Sequence, residues 1–210
     1  MSLFKILGTK PWQQSGEIDN LQGGDVLTVP SARIGLWVFL AVVASLFGLF
    51  TSAYHMRAEY ADWQQLDVPS LLWLNTGVLV FASLAFQWAW MASRKGRLAA
   101  VRDGLTLGGV FTLAFLLLQY WAWQQMIAAG YFAYTNPANA FFYLLTGAHA
   151  LHLIGGLWVW IRTTAQVWGG LDAENAEEVG RVRLRVELCT IYWHFLLLVW
   201  LMLFGLMLST

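Results

Sequence analysis

Five long apolar segments, separated by short polar ones, dominate the pattern of residues along this chain. Each is mostly apolar and contains no Asp, Glu, Lys or Arg; they cover residues 34–54, 71–92, 105–123, 141–161 and 188–208. A helix of roughly 20 residues crosses the ~30 Å hydrocarbon core of a bilayer, whereas barrel strands are shorter and alternate in polarity. The pattern therefore predicts an all-α, polytopic membrane protein with a bundle of five transmembrane helices.

The basic residues are distributed unevenly among the polar segments. Eleven of the twelve Lys and Arg residues lie before the first span, in the second loop or in the fourth loop, and only Arg57 lies in the first loop. Basic residues accumulate on the cytoplasmic side of membrane proteins. We therefore expect a cytoplasmic N-terminal segment at 1–33, a membrane domain at 34–210 and a C-terminus outside. The connection at 163–187 is expected to be a polar cytoplasmic hairpin.

Composition narrows the possible functions. Hydrophobic residues make up 59% of the chain and charged residues 11%, against about 25% charged residues in an ordinary soluble domain. The formal net charge is zero, so there is no surplus of cations that would indicate a nucleic-acid partner. The single cysteine, Cys189, cannot form an internal disulfide. The N-terminal residues lack the apolar core of a cleaved signal peptide, and we expect them to remain in the mature chain.

Three histidines are the ionisable groups that stand out inside the spans. His149 and His152 lie three residues apart in the fourth span, so they point from about the same side, and His194 lies in the fifth span. Haem ligation in a b-type cytochrome membrane anchor would need an axial histidine on each of two spans. The favoured interpretation is that neutral histidines hydrogen-bond across packed helices. Contact with lipid headgroups is the third alternative.

Two amide side chains, Asn75 and Gln119, are the other polar groups predicted to be buried, and each can bond a neighbouring helix. The sequence offers no nucleophile paired with a base, no phosphate-binding glycine loop and no ligand cluster for a catalytic metal. We therefore expect no catalytic, cofactor-binding or metal-binding residues in this chain. A small-molecule transporter is a further alternative class, but the sequence shows neither the internal repeats nor the broken helices that would favour it.

Small residues recur at helical spacing in two spans. Ala44, Gly48 and Ser52 are four residues apart in the first span, and Gly147 and Gly155 lie two turns apart in the fourth. Such stripes allow helix backbones to approach closely. We expect both stripes to lie in helix–helix contacts, either within the chain or against another protein.

Three stretches of the spans resemble the successive motifs of subunit III of haem-copper oxidases. They read VPSLLWLNTGVLVFASLAFQWA, FFYLLTGAHALHLIGG and ELCTIYWHFLLLVWLMLF. The pattern TGxHxLH, followed some forty residues later by YWHFxxxVW, is the most specific part. The likeness runs from about residue 31 to the end of the chain. The chain is similar to the shorter, five-helix form found in bacterial cytochrome c oxidases and quinol oxidases.

The resemblance implies an accessory subunit in the bacterial inner membrane that holds no redox metal. It would pack against subunit I, which carries the haems and copper, in a complex that also contains subunit II. It would stabilise subunit I during turnover, hold phospholipid in a cleft between helices and let oxygen reach subunit I partly through that cleft. We expect structural or lipid-contact roles for His149, His152, Trp193, His194, Asn75, Gln119 and Glu187.

The chain departs from the family pattern at three acidic positions. Val43, Ala122 and Leu197 stand where the resemblance leads us to expect membrane carboxylates. These three side chains can neither bind nor pass a proton. The proton-uptake role of the family is therefore not expected at these positions. Both cytochrome c and quinol remain possible electron donors of the complex, and cytochrome c oxidase is the favoured interpretation.

Overall fold

A computed structural model describes residues 31–64, 66, 68–169 and 176–209, and these residues form five helices. They are α1 (Ser31–Ala58), α2 (Leu71–Arg94), α3 (Leu98–Ala128), α4 (Pro137–Trp168) and α5 (Ala176–Ser209). All five are long and apolar enough to cross a membrane, and no strand occurs in the described ranges. The all-α class and the five predicted spans are confirmed. The chain divides into a unit at 1–34 and a compact unit at 35–210, and the description below concerns the second.

Most helices extend beyond the apolar spans that predicted them. The largest addition is at α5, which begins at Ala176, and α4 continues to Trp168. Both the first and the last part of the predicted 163–187 hairpin are therefore helical. Residues 178–187 are rich in charge, which is typical of a polar connection. Charged residues nevertheless continue a helix readily once it leaves the hydrocarbon region, since straight-chain Glu and Arg are good helix formers.

Local sequence explains where the helices stop and start. Gly96 has φ of 67° in the short turn between α2 and α3, and Gly130 has φ of 83° just after α3. Only glycine adopts this left-handed region at low cost. Asn136 caps α4, because its side chain accepts a hydrogen bond from the backbone N–H of Ala138, and Pro137 occupies the first turn.

The four helices α2 to α5 form a ring in which α2 contacts α3, α3 contacts α4, α4 contacts α5, and α5 returns to α2. The α2–α3 contact is the closest. A Cβ atom placed on Gly104 of α3 would lie 2.8 Å from Ala89 Cβ and 2.9 Å from Ala89 N. The ring encloses a core rich in aromatic side chains, and the largest of those buried are Trp193, Trp200, Phe86, Phe115 and Phe142.

Helix α1 packs less closely against the bundle than the other four helices pack against one another. No Cα atom of α1 lies within 8 Å of a Cα atom of another described helix. It contributes Leu40 and Val43 to the hydrophobic core. It also makes aromatic contacts: the Phe47 ring centroid lies 5.5 Å from that of His152, and the Tyr54 centroid lies 5.4 Å from that of Phe141. A helix held at this distance leaves room for grooves beside it.

The two stripes of small residues do not lie in contacts within the described chain. Ala44, Gly48 and Ser52 are exposed on α1, and a Cβ atom on Gly48, Gly147 or Gly155 would have no neighbour within 4 Å. For contacts inside the chain the prediction was wrong, because α1 is kept away from the bundle by the bulky side chains on its opposite side. In α4 the close approach occurs instead at Gly156, where a Cβ atom would lie 2.6 Å from Tyr192 Cε1.

Candidate functional site

Asn75 and Gln119 form a buried hydrogen bond between α2 and α3. The Asn75 Nδ2 group donates to Gln119 Oε1 over 2.8 Å, and both residues are essentially inaccessible to solvent. The structure thus brings together the two amides that stood out in the sequence. A bond between two buried amides fixes the register of the two helices, because sliding either helix by one turn would leave both groups unpaired.

Three tryptophans make a second set of bonds between helices, each donating its indole N–H to a threonine hydroxyl. Trp193 Nε1 donates to Thr112 over 2.8 Å, Trp200 Nε1 to Thr76 over 2.9 Å and Trp123 Nε1 to Thr146 over 3.0 Å. Each of these hydroxyls in turn donates to the carbonyl four residues earlier in its own helix. These Trp–Thr bonds connect α3 with α5, α2 with α5 and α3 with α4. Every polar group in them has a partner, as burial requires.

His149 lies at the centre of the bundle among aromatic rings. It is fully buried, with its ring centroid 5.7 Å from Phe115 and 5.2 Å from Trp200. Neither ring nitrogen has a hydrogen-bond partner among the described residues. The ring packs against these aromatic side chains, and among the described residues it belongs to no group of three or more His, Cys, Asp or Glu side chains arranged to hold a metal ion.

His152 and His194 occupy other surroundings. His152 is half-buried beside Phe47, and its Nδ1 donates to Ala148 O over 2.7 Å. His194 is exposed on the outer surface of the α2–α5 pair, where Ser83 and Gln87 bond its two ring nitrogens. His194 lies on a different helix from His149 and His152, and its hydrogen bonds go to residues of α2.

The three positions at which the family acids were expected are apolar packing positions. Val43 and Ala122 are buried in the hydrophobic core, and Leu197 packs against it. A carboxylate at either of the first two would be desolvated without a partner, which is costly. The local structure therefore suits the residues present and provides no proton-binding group there.

Arginines and tryptophans pair at the end of the bundle where α2 and α4 finish and α3 and α5 begin. The Arg94 guanidinium lies 5.2 Å from the Trp90 ring centroid, Arg102 lies 5.4 Å from that of Trp168, and Arg162 lies 5.1 Å from that of Trp158. Arg102 Nε also donates to Val167 O over 3.0 Å. Arginine over tryptophan suits the headgroup level of a membrane, where each ring is half in lipid and half in water.

The other end of the bundle has one arginine and no lysine in its described part. Arg57 forms a bidentate ion pair with Asp62, with 2.7 Å between Arg57 Nη1 and Asp62 Oδ1. This guanidinium, by hydrogen bonding, lowers the pKa of the Asp62 carboxyl below its ordinary value of 3.8. Asn136 Nδ2 donates to Gln64 O over 2.7 Å. That bond ties the loop after α1 to the start of α4.

Sequence reasoning identified the amides and histidines but missed Thr76, Thr112 and Thr146. A threonine inside an apolar span gives a weak signal, because its hydroxyl can bond a carbonyl of its own helix and needs no other partner. The usable signal was the number of tryptophans, since a buried indole N–H must find an acceptor. Glu187 is half-buried and directly precedes the fifth predicted span.

Comparison with known proteins places this bundle in a family. The sequence profile of the cytochrome c oxidase subunit III family matches residues 20–209. Cytochrome bo(3) ubiquinol oxidase subunit 3 of Pseudomonas aeruginosa is 26% identical over 176 residues, covering 81% of this chain and 80% of that protein. Cytochrome c oxidase subunit 3 of Thermostichus vulcanus is 27% identical over 188 residues, covering 85% and 87%.

A third relative differs in length. Heme-copper oxidase subunit I+III of Aeropyrum pernix is 29% identical over 187 residues, which cover 83% of this chain and 22% of that protein. Because the family profile covers almost the whole sequence and the five helices fit it, the chain belongs to the cytochrome c oxidase subunit III family and is a multi-pass membrane subunit of a haem-copper respiratory oxidase.

Proposed function

We propose that this chain is an accessory, metal-free subunit of a cytochrome c oxidase of the bacterial inner membrane. It packs against subunit I, which carries the haems and copper, with subunit II in the same complex, and it stabilises subunit I during turnover. The family match over residues 20–209 carries this proposal. The name of the Aeropyrum pernix relative, subunit I+III, supports the contact, because one chain then contains both subunits.

The interior of the bundle supports a scaffolding role. Its polar groups are largely used to connect helices, in the Asn75–Gln119 bond and the Trp–Thr bonds. A cofactor site would instead leave convergent polar groups around an open cavity. Rigid connection of four helices suits a subunit whose task is to present a fixed surface to a partner.

The proposed orientation has the N-terminus in the cytoplasm and the C-terminus outside. Eleven of the twelve basic residues of the sequence fall on the cytoplasmic side in this arrangement. The Arg–Trp pairs of α2, α3 and α4 lie at that same end of the bundle. Arginine beside tryptophan is favourable at the level of anionic headgroups, which supports this assignment.

The groove beside α1 supports the proposed binding of phospholipid. An open groove of about 730 Å³ runs between the C-terminal part of α1 and the start of α4. Its apolar lining includes Ala53, Met56 and Phe141, and the Arg57–Asp62 ion pair lies at its rim. An acyl chain can lie along the apolar side of the groove. A zwitterionic headgroup can pair its negative group with Arg57 and its positive group with Asp62. We propose that lipid held beside α1 lines part of the oxygen access route to subunit I.

The accessory role is tested by comparing the oxidase with and without this chain. Removal should leave the initial turnover rate of subunit I largely intact and shorten the number of turnovers before inactivation. Re-addition of the chain should restore that number. Loss of all activity at the first turnover, or an unchanged lifetime, would contradict the proposed role.

A quinol oxidase is the second candidate, because the Pseudomonas aeruginosa relative is a ubiquinol oxidase subunit of similar identity. The two candidates differ in the electron donor of the whole complex, which is cytochrome c in one and ubiquinol in the other. The purified complex should oxidise reduced cytochrome c rapidly and ubiquinol slowly. The opposite preference would assign the chain to a quinol oxidase.

A further inference from the structure

A polar cluster lies on the outer surface of the bundle, within the membrane. It consists of Ser83 and Gln87 of α2 and His194 of α5, and we name it the His194 cluster. His194 Nε2 and Gln87 Oε1 are 3.0 Å apart, and Ser83 bonds the other ring nitrogen. Gln87 is half-exposed and His194 is exposed. In this arrangement His194 donates to the Gln87 carbonyl and the Ser83 hydroxyl donates to His194.

The His194 cluster lies at hydrocarbon depth. His194 is six positions after residue 188, where the fifth apolar span begins, which places it ~9 Å along the helix axis. Gln87 is five positions before residue 92, the end of the second span, and so lies ~8 Å from that end. Both ends belong to the same side of the bundle. The cluster is therefore beyond hydrogen-bonding distance of lipid headgroups and bulk water.

The hydrogen bonds of the cluster are incomplete. With the Gln87 carbonyl accepting from His194, the Gln87 amide nitrogen has no acceptor among the described residues. Rotating the Gln87 side-chain amide by 180° would not help, because its oxygen would then lack a donor. Hydrocarbon offers no hydrogen-bonding atoms, so an exposed amide at this depth favours a protein neighbour that supplies them.

The surface around His194 has the shape of a helix-docking surface. His194, Leu198, Leu201, Gly205 and Leu208 follow one side of α5 at alternating spacings of four and three residues, and all five are exposed. Leu198 is 63% exposed, and a Cβ atom on Gly205 would meet nothing within 4 Å. Alternating spacing of this kind keeps one side of a helix facing a partner helix along its length.

We propose that this surface of α5 and α2 is the docking site for a transmembrane helix of subunit I. The partner helix presents a hydrogen-bond acceptor, a backbone carbonyl or a side-chain oxygen, to the Gln87 amide, and apolar side chains to Leu198 and Leu201. A surface of lipid tails would satisfy the leucines but not the amide. This inference rests on the proposed function in one respect, that the chain binds subunit I.

Photocrosslinking within the assembled complex tests the site. Benzoylphenylalanine is placed at Leu198 or, as a matched control, at Leu117 of α3, which is 71% exposed. Helix α3 lies diagonally across the ring from α5, and both positions lie within predicted spans. Irradiation should crosslink position 198 to subunit I and leave position 117 crosslinked to lipid alone.

Other outcomes overturn the inference in different ways. If position 117 crosslinks to subunit I and position 198 does not, the docking surface is wrong and the proposed function stands. A crosslink from position 198 to a second copy of this chain, or to lipid alone, also overturns the site. If no subunit I purifies with the chain before irradiation, the proposed function fails as well.

A second variant tests the role of the amide. Gln87→Leu should reduce the amount of subunit I retained in mild detergent by roughly 3- to 10-fold, the range expected for one hydrogen bond between membrane helices. Gln124→Leu, at an exposed glutamine near the end of α3, should leave retention unchanged. Equal retention of subunit I in both variants would show that the Gln87 amide takes no part in the docking contact.

Discussion

At the scale of single residues, polar side chains connect the helices of the core by hydrogen bonds. Only some of these side chains could be predicted from the sequence. Asn75 and Gln119 were visible because an amide inside an apolar span needs a partner from another helix. The threonines that accept from Trp193, Trp200 and Trp123 were not visible, since a threonine can satisfy its hydroxyl within its own helix. The partners of a buried indole can therefore be read only from three-dimensional packing.

The bond between Trp193 and Thr112 gives a direct prediction. Thr112→Val keeps the shape of the side chain but leaves the buried Trp193 indole N–H without an acceptor, which should lower the free energy of unfolding by about 1–3 kcal/mol. Thr106→Val is the matched control, since Thr106 is exposed on the same helix. Thermal unfolding of the purified chain in detergent measures both. Equal melting temperatures for the two variants would show that this bond contributes nothing.

The ion pair of Arg57 and Asp62 predicts a local pH dependence in the loop after α1. Because the pKa of Asp62 is lowered in the folded state, its stabilising effect is present above the ordinary value of 3.8 and is lost as the pH falls through the lowered pKa. A spin label at Ala61 should therefore become more mobile as the pH is lowered toward 2. The native Cys189 is buried and should not take up the label.

Asp62→Asn provides the control for this titration. In that variant the label at Ala61 should be mobile at every pH, because Arg57 has lost its charged partner. A wild-type label whose mobility is independent of pH, or a variant that titrates like wild type, would show that the ion pair does not order the loop.

At the scale of helices, hydrophobic segments predicted the number and type of elements, but not which surfaces touch. Five spans were found because crossing a bilayer demands a long apolar run, whatever its neighbours. Contact surfaces were predicted less well, since a small residue packs against a helix or faces outward with the same sequence signature. Gly48 was expected in a contact and is exposed, whereas Gly104 and Gly156, which were not singled out, lie at close approaches.

The difference between Gly104 and Gly48 is measurable. Gly104→Ala would place a Cβ atom 2.9 Å from a backbone nitrogen of α2, so the two closest helices must separate, at a cost of about 1–3 kcal/mol. Gly48→Ala meets no atom within 4 Å and should leave stability unchanged or raise it by up to ~1 kcal/mol through helix propensity. Chemical unfolding in mixed micelles measures both variants. A larger loss of unfolding free energy for Gly48→Ala than for Gly104→Ala would show that the close helix contact is made by α1.

At the scale of the whole molecule, the five spans form an apolar body without membrane carboxylates. Hydrophobic carbodiimides modify carboxylic acids that remain protonated because desolvation raises their pKa. No span contains Asp or Glu, and the acids nearest to the spans include Glu59, Asp62 and Glu187 at their ends. Carbodiimide treatment of the complex should therefore leave this chain unlabelled within the bilayer, with proton pumping through subunit I intact. Mass spectrometry and pumping assays before and after treatment measure this. Labelling of one of these acids together with reduced pumping would contradict it.

The central claim is membership of a haem-copper oxidase, and the partners of the chain test it most directly. An affinity-tagged chain is extracted from its native membrane in mild detergent, and its companions are identified by mass spectrometry and by a reduced-minus-oxidised haem spectrum. We predict that oxidase subunits I and II co-purify in equal amounts with this chain, and that the haem signal follows subunit I. A chain that purifies alone, or that carries a stoichiometric haem of its own whose spectrum changes in a His194→Ala variant, would contradict the account.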